Sequence, residues 1–587
     1  MFETMDADDD LLGSLVSRGL VPSFSFPLHV CEFEVSGSED GEENIEARTS
    51  QDMRVALNQF VPGSLITINK KTYLSEGLLV KDRPEEWQYR VNRTAELFEE
   101  ERWEDHIHCT NCESIFRLSG DTEIETGTQC PICRSSDESD SGTIRKDRYI
   151  WPDGFSAVVV PHYFGQPQPN KEGNLSATMK ARDNPRQFSG ARVRSRARLP
   201  TPRITLEEKE VGGDEDSREF WSGSKHGFSN LDGRYYQKNL ETGEGVELVM
   251  VNMGPMNQGW PICKNCGREA LSNKTKTKSS GHHRPYALPW SNSRGLSEED
   301  KESWQAAASR CPPNNFDDGL GFGFTFRSDL VFLRLKLKSP LALDKRVSTP
   351  MKGALSAIKE AFVTEATKCL DLVDREIESG YRHITLPNSE DKEKRDQFVD
   401  LYFFDSVSGG AGLVDDLRNI PGVMEEILNR VEKRLEGKRC IDSKPCPRAC
   451  IGCLLDFRNA AEHRIIDRVL GLQLFQYMKS GTAPDPDCPK PDTGETQRQK
   501  IIARIASLIE DVKIKEKHFN QGGHDLDLME CEYNGESLVA HFHSVLSDPA
   551  AEGVFETEKQ FRIGKTGPIP EDKILMIPYE LAQANPG

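Results

Sequence analysis

The sequence predicts a multi-domain α+β protein, with mixed sheets and helices pinned by three structural zinc sites. Three observations lead there. Stretches of period-two apolar alternation are interleaved with stretches at helical spacing, the 587 residues exceed what one core holds, and twelve cysteines and histidines fall into three compact sets.

Taken in order, residues 1–105 form a helical and β-hairpin region. LLGSLVSRGLVP has helical spacing, SFSFPLHVCEFEV alternates as a strand does, and the acidic SGSEDGEEN after it reads as a mobile loop. ALNQFVPGSLITINKKTYLSEGLLV reads as a helix end, a Pro-Gly turn and a small hairpin with a lysine pair near its tip. Residues 106–150 read as a zinc ribbon, and residues 151–338 as a β-rich region. It opens on the strand-like RYIWPDGFSAVVV and closes on FTFRSDLVFLRLKL. Residues 339–483 form an α/β domain. Its long amphipathic helix MKGALSAIKEAFVTEATKCLDLVDREIES sets Leu355, Ile358, Phe362, Cys369 and Val373 on one face. Residues 484–497 are a proline-rich linker, and 498–587 a tail unit of one helix followed by strands.

The first metal set is Cys109, Cys112, Cys130 and Cys133, two C-x-x-C knuckles separated by seventeen residues. The second joins Cys263 and Cys266 to Cys311 and to one of the adjacent pair His282 and His283. The third packs Cys440, Cys446, Cys450 and Cys453 between two helical stretches, in a segment too short for a core of its own. Four soft ligands complete a tetrahedral Zn²⁺ and leave no position for water, so each set reads as a clamp rather than a catalytic centre. About three structural Zn²⁺ ions are therefore expected. The competing reading is free thiols or a disulfide.

A net charge of −20 argues against a surface that coats nucleic acid throughout, so any DNA contact must be local. The fifteen cysteines fall largely into metal-type spacings, the first residues are acidic, and no apolar run is long enough to cross a bilayer. The expectation is a cytoplasmic protein with no membrane contact. The strongest basic signal is Arg192, Arg194, Arg196 and Arg198, which on a strand would share one face and need an anion such as a phosphate backbone, or an acidic partner, to neutralise them. A solvated edge strand explains them equally well. Arg458, His463, Arg464 and Arg468, in a run expected to be helical, form a second candidate surface, although Asp467 offers one arginine a partner. Lys274, Lys276 and Lys278 read as a solvated loop. Gly409, Gly410 and Gly412 form a strand-to-helix turn that would suit either an anion or a tight structural corner.

The order of LVPSFSFP, YIWPDGFSA, VNMGPMNQGWPICKNCGR, GFGFTFRSDLVFL, LYFFDSVSGGAGL and CPRACIGCLLDFRNAAEHRIIDR resembles the zinc-binding, non-motor C-terminal region of MrfA-type DNA helicases. As a separate chain it resembles the DrmB-type helicase-associated subunits of DISARM antiphage systems. The resemblance implies His283 as the ligand in the second set, a helicase-associated role for residues 339–483, and a DrmA-like helicase or translocase as partner, with DNA reached through the complex.

No phosphate loop is present: at Gly564-Lys565-Thr566, Lys559 stands where the first glycine belongs. An H-x-K nuclease motif is also absent, since His541-Phe542-His543 lacks the lysine. The expectation is a noncatalytic subunit with no catalytic residues. The rivals are a pure assembly scaffold without DNA contact and a nuclease of unrecognised type.

Overall fold

The computed structural model describes residues 30–39, 42–69, 71–79, 103–109, 115–117, 130, 144–158, 203–206, 217–236, 246–254, 259–264, 267–269, 282–283, 310–311, 316–339, 341, 348–372, 376–388, 395–406, 412–441, 445–456, 459, 462–482, 484, 503, 513–521, 524–533, 536–547 and 574–578. The architecture is α+β, with several sheets and few helices among these residues.

An antiparallel five-stranded sheet organises the region around residues 440–453. Its strands run in the order Ser217–Ser222, Leu231–Tyr236, Leu330–Leu337, Arg395–Asp405 and Ile377–Pro387, so it draws on both sides of residue 338. The run LVFLRLKL is buried on both faces as far as Leu335, apolar throughout at its start and alternating with Arg334 and Lys336 toward its end. Val331, Leu333 and Leu335 pack against Leu355, Ile358 and Phe362 of the helix α2 (Thr349–Cys369). Leu330 and Phe332 point the other way, into a second core with Phe322, Phe324 and Phe326 of the strand Phe316–Ser328.

One polar group interrupts that second core. Arg334, Asp400 and Arg382 are cross-strand neighbours. Asp400 receives Arg334 at 2.7 and 2.9 Å and Arg382 at 3.0 and 3.1 Å, and Arg382 also donates to the Tyr236 hydroxyl at 2.6 Å. Burial acts against the Asp400 charge, but the two guanidiniums outweigh it and hold the carboxyl below its usual range.

Helix α2 starts where expected. Ser348 caps it by accepting from the Met351 N–H, and Pro350 sits in its first turn, where no N–H partner is needed. It stops at Cys369, short of the predicted end. Asp371 adopts a φ of 53°, turning the chain toward the strand Ile377–Pro387. Alongside α2 lie α3 (Leu413–Asn419), α4 (Val423–Leu435) and α5 (Arg468–Ser480).

A short helix, α1 (Met53–Gln59), precedes the Pro62-Gly63 turn and the hairpin Leu65–Ile68/Lys71–Leu74, as the sequence predicts. The acidic stretch 36–44 differs from its expected loop. Strand Val30–Glu39 runs on into it and pairs with Glu42–Asp52, past a register shift between Val35 and Ser36, as an extension of the ladder seeded by buried Phe33 and Val35; residues 40 and 41 lie outside the described residues. The predicted helix at 11–22 and the polar loop at 135–142 lie outside the described residues. The remaining sheets include a seven-stranded one that contains Trp103–Cys109 and Ile144–Ile150, and a four-stranded one built from Lys513–Gln521, His524–Tyr533, Glu536–His543 and Ile574–Pro578. The last is joined to the helical layer: the Ser544 hydroxyl donates to Gln473 of α5 at 2.5 Å, and Leu341 bridges Ser547. No described helix is long and apolar enough to cross a membrane.

Candidate metal centre

The third cysteine set comes together as a site. The Sγ atoms of Cys440, Cys446, Cys450 and Cys453 all lie within 4.8 Å of one another. Neighbouring separations are 3.5 Å for Cys440–Cys446, 3.7 Å for Cys446–Cys453 and 3.5 Å for Cys450–Cys453. A tetrahedral ion with Zn–S bonds of about 2.3 Å has S···S edges of about 3.8 Å, so the four thiols are spaced to fit one. A disulfide, with sulfurs about 2.05 Å apart, does not fit these separations, and all four cysteines are free.

Local structure explains the placement. Helix α4 ends at Leu435, and Gly437 takes a φ of 89° to turn the chain back; a Cβ there would strike Pro445 at 2.8 Å. Cys440 follows, with its N–H on the Gly437 carbonyl at 3.0 Å. On the second limb, the N–H groups of Cys453, Leu454 and Leu455 converge on the Cys450 carbonyl. The two limbs touch at Gly452, where an added Cβ would lie 2.9 Å from the Arg439 oxygen and 3.0 Å from the Ile441 nitrogen.

Two buried arginines bind this lobe to the helical layer. Arg434 of α4 donates to the Cys453 carbonyl at 2.5 Å and pairs with Glu365 of α2. Arg468, at the start of α5, donates to the Leu435 carbonyl at 2.5 Å and to the Cys446 carbonyl at 2.6 Å. Burial pushes the Cys446 thiol up to about 11. Burial also acts against the Cys450 thiolate, but the N–H groups of Ile441, Cys453 and Gly452, with the Cys453 thiol, outweigh it and bring that thiol down to about 7.

Behind the lobe, the described residues between Asp456 and Asp467 form turns held by polar contacts. Asn459 donates to Glu360 at 2.9 Å and to the Leu454 carbonyl at 2.8 Å. His463 Nε2 lies 2.8 Å from the Asp456 carbonyl and 2.9 Å from Asn459 Oδ1. Lys359 of α2 reaches Glu462 at 3.0 Å; burial opposes its charge, but Glu462 and Glu360 keep the ammonium protonated.

This corrects the predicted helix through 454–478. The helix begins only at Arg468, because Asp467 caps it by accepting from the Val469 and Leu470 N–H groups. Arg464, exposed on a turn, and buried Arg468 therefore share no helix face, and Arg458 lies outside the described residues. Asp467 does pair with an arginine, Arg448, at 3.3 Å.

At the glycine-rich turn the structural alternative has an observation behind it. Helix α3 starts after Gly412, and the N–H groups of Leu413 and Val414 go to the buried Asp405 carboxylate at 3.1 and 2.9 Å. The helix already holds an anion from its own chain, so the corner is structural; Gly409 and Gly410 lie outside the described residues.

Of the first set, Cys109 and Cys130 are buried with Ile144 and Ile384, while Cys112 and Cys133 lie outside the described residues. In the second set, Cys263 is buried in a tight turn: its carbonyl accepts from the Gly267 N–H at 2.8 Å and its N–H donates to the Arg268 carbonyl at 2.8 Å. Cys266 lies outside the described residues. The short strands His282–His283 and Arg310–Cys311 pair so that His282 stands opposite Cys311 and His283 opposite Arg310. Arg192, Arg194, Arg196, Arg198, Lys274, Lys276 and Lys278 lie outside the described residues.

Comparison with known proteins adds one relationship. The chain is similar to Druantia protein DruE of Escherichia coli (strain UMEA 4076-1). The two are 28% identical over 515 residues, which is 86% of this chain and 23% of the longer protein. This chain thus spans about a quarter of its relative's length. The 14% of the chain left unmatched is too little for a continuous match to miss residues 440–453 from either end. No family model and no solved structure matches.

Proposed function

We propose that this chain is a noncatalytic, zinc-containing, helicase-associated subunit that partners a DrmA-like ATP-dependent DNA translocase and assists DNA binding in antiphage defence. The observation that carries this reading is the four-thiol centre, seated in a stretch similar to about a quarter of a much longer Druantia protein. A closed sulfur tetrahedron leaves a zinc ion no open position, so it supplies fold rather than catalysis. Residues 440–456 have little core of their own, and zinc bound to such a loop contributes folding free energy directly, roughly 10–16 kcal/mol in small zinc-finger peptides. Arg434 and Arg468 then transmit that rigidity to the helical layer. An accessory piece that recurs inside a larger protein suits a part that works on a motor.

The test is copurification of the tagged full chain with the products of neighbouring genes, followed by ATPase assays. The chain alone turns over no ATP, and its addition changes the DNA-stimulated rate of the motor it captures. Robust ATP hydrolysis, or divalent-metal-dependent DNA cleavage, by the isolated chain would defeat the reading. Elemental analysis gives close to three zinc per chain if all three sets are filled.

A further inference from the structure

We propose that the cysteine lobe is itself a nucleic-acid contact, a basic-rimmed apolar tip that holds a phosphate backbone with Lys433, Arg439 and Arg464 and rests Ile441 and Ile451 against sugar and base. The proposal rests on the accessory reading above and assigns its DNA contact to a surface.

Ile441 and Ile451 are 60% and 81% exposed, the two most exposed large hydrophobic side chains among the described residues. They sit on the two limbs that meet at Gly452, so they form one tip rather than two scattered positions. An exposed apolar tip beside cations is how proteins wedge against base steps or unstacked bases. Arg439 stands on the first limb, Lys433 in the last turn of α4, where its carbonyl accepts the Lys438 N–H at 3.2 Å, and Arg464 on the 462–467 turn; all three are exposed and show no ion pair among the described residues. Arg464 is tied to the second limb, because its carbonyl accepts from Arg448 at 2.8 Å.

The metal does not use up this charge. Zinc with four thiolates would carry two negative charges; Arg468 lies beside that centre from the protein side while Arg434 is paired with Glu365, and the three outer cations exceed what is left. Lys368, at the end of α2, is held below the usual lysine range first by burial and then by Arg434, Arg439 and Arg430, with Glu365 acting the other way, so Arg439 adds to a positive field at this end of the lobe. In a chain of net charge −20, an uncompensated positive rim marks a place for an external anion. A linear polyanion suits it better than a single ion, because the cations are spread from the last turn of α4 through the first limb to the 462–467 turn.

The experiment uses the metal-loaded full chain, with a labelled oligo(dT) strand and a labelled duplex of equal length, titrated by fluorescence anisotropy across a potassium chloride series. Lys433→Glu with Arg439→Glu lowers affinity about tenfold or more, and flattens the plot of log affinity against log salt by roughly one unit per lost contact. Ile451→Ser weakens binding without altering that slope. Arg439→Lys keeps most of the affinity, since a phosphate needs only the charge. Unchanged zinc content shows that each variant is folded at the lobe. The proposal is overturned if the wild-type chain binds neither probe, or if the double variant matches wild type in affinity and slope. It is also overturned if the double variant binds DNA normally but no longer copurifies with the motor, which would make the lobe a protein-docking face. Failure of the accessory reading shows separately, as a wild-type chain that leaves the motor's ATPase rate unchanged.

Discussion

Arg468 donates to the backbone carbonyl of Cys446 at 2.6 Å while the same guanidinium reaches the Leu435 carbonyl, so one buried side chain fixes a cysteine of the candidate metal centre to the end of α4. Groups in this position set the orientation of a ligand without touching the ion. Replacing Arg468 with Gln shortens the reach and removes the charge beside the thiolates. Zinc affinity, read by competition with a chromophoric chelator, is expected to fall about 10- to 100-fold, with zinc still bound under saturation.

Cys450→Ser removes a ligand outright. The expected result is loss of one zinc per chain together with insolubility or local unfolding, seen as rapid proteolysis near residue 450. The wild-type centre should also be pH-dependent. Without metal the Cys446 thiol is pushed up to about 11 and Cys450 sits at about 7, so metal binding at neutral pH must displace protons. Affinity therefore falls as pH falls, and metallation in weak buffer acidifies the solution; a pH-independent affinity between about pH 6 and 8 would contradict the assignment.

Asp400 is shared by two buried arginines, and Asp400→Asn removes the carboxylate that both face. Breaking a buried ion cluster from one side costs about 3–5 kcal/mol, measurable by urea unfolding of the zinc-loaded chain. Because the folded Asp400 carboxyl lies below its unfolded value, its contribution is full above about pH 4 and is lost as pH falls from there through the folded value. The variant should show a shallower loss of stability with acid than wild type does.

Asp405→Ala removes the carboxylate that caps α3 across the glycine-rich corner. A lost cap of this kind costs about 1–2 kcal/mol. Asp405→Asn should retain part of it, since its amide oxygen still accepts, and zinc content should not change in either variant.

The register of the short strands bears on the second metal set. Directly opposed residues of an antiparallel pair share a face, and His282 is the one opposed to Cys311. On that ground His282→Ala, and not His283→Ala, should lower the zinc count by one; the reverse result would support the ligand implied by the sequence resemblance.

Ligand spacing made the third centre legible, because the distance between knuckles limits what the chain can wrap. Alternation in LVFLRLKL and the Pro62-Gly63 turn were legible for the same local reason. Tertiary partners were not. Nothing local to Arg434 or Arg468 says that each will be buried against a cysteine carbonyl. Nor does Asp405, eight residues before Leu413, declare itself its cap. The helix predicted through 454–478 failed where a readable signal was passed over. Asp467 is a good capping residue standing directly before the true start. The acidic stretch 36–44 misled because charge describes solvent exposure, whereas pairing there is imposed by buried Phe33 and Val35 upstream.

The contact between the turn at 229–230 and the far end of α5 sets a clock on synthesis. Asn230 donates to the Tyr477 carbonyl across a separation of 247 residues, and the Ser229 N–H reaches the Lys479 carbonyl. At about 5–20 residues per second, a ribosome needs roughly 12 to 50 s to deliver the second half of that pair after the first. Through that interval Phe228 waits for Phe475, the ring it meets edge-on, and the helical core they share stays open. The nascent chain is thus most open to chaperone capture, or to misassembly with another copy of itself, until α5 has emerged.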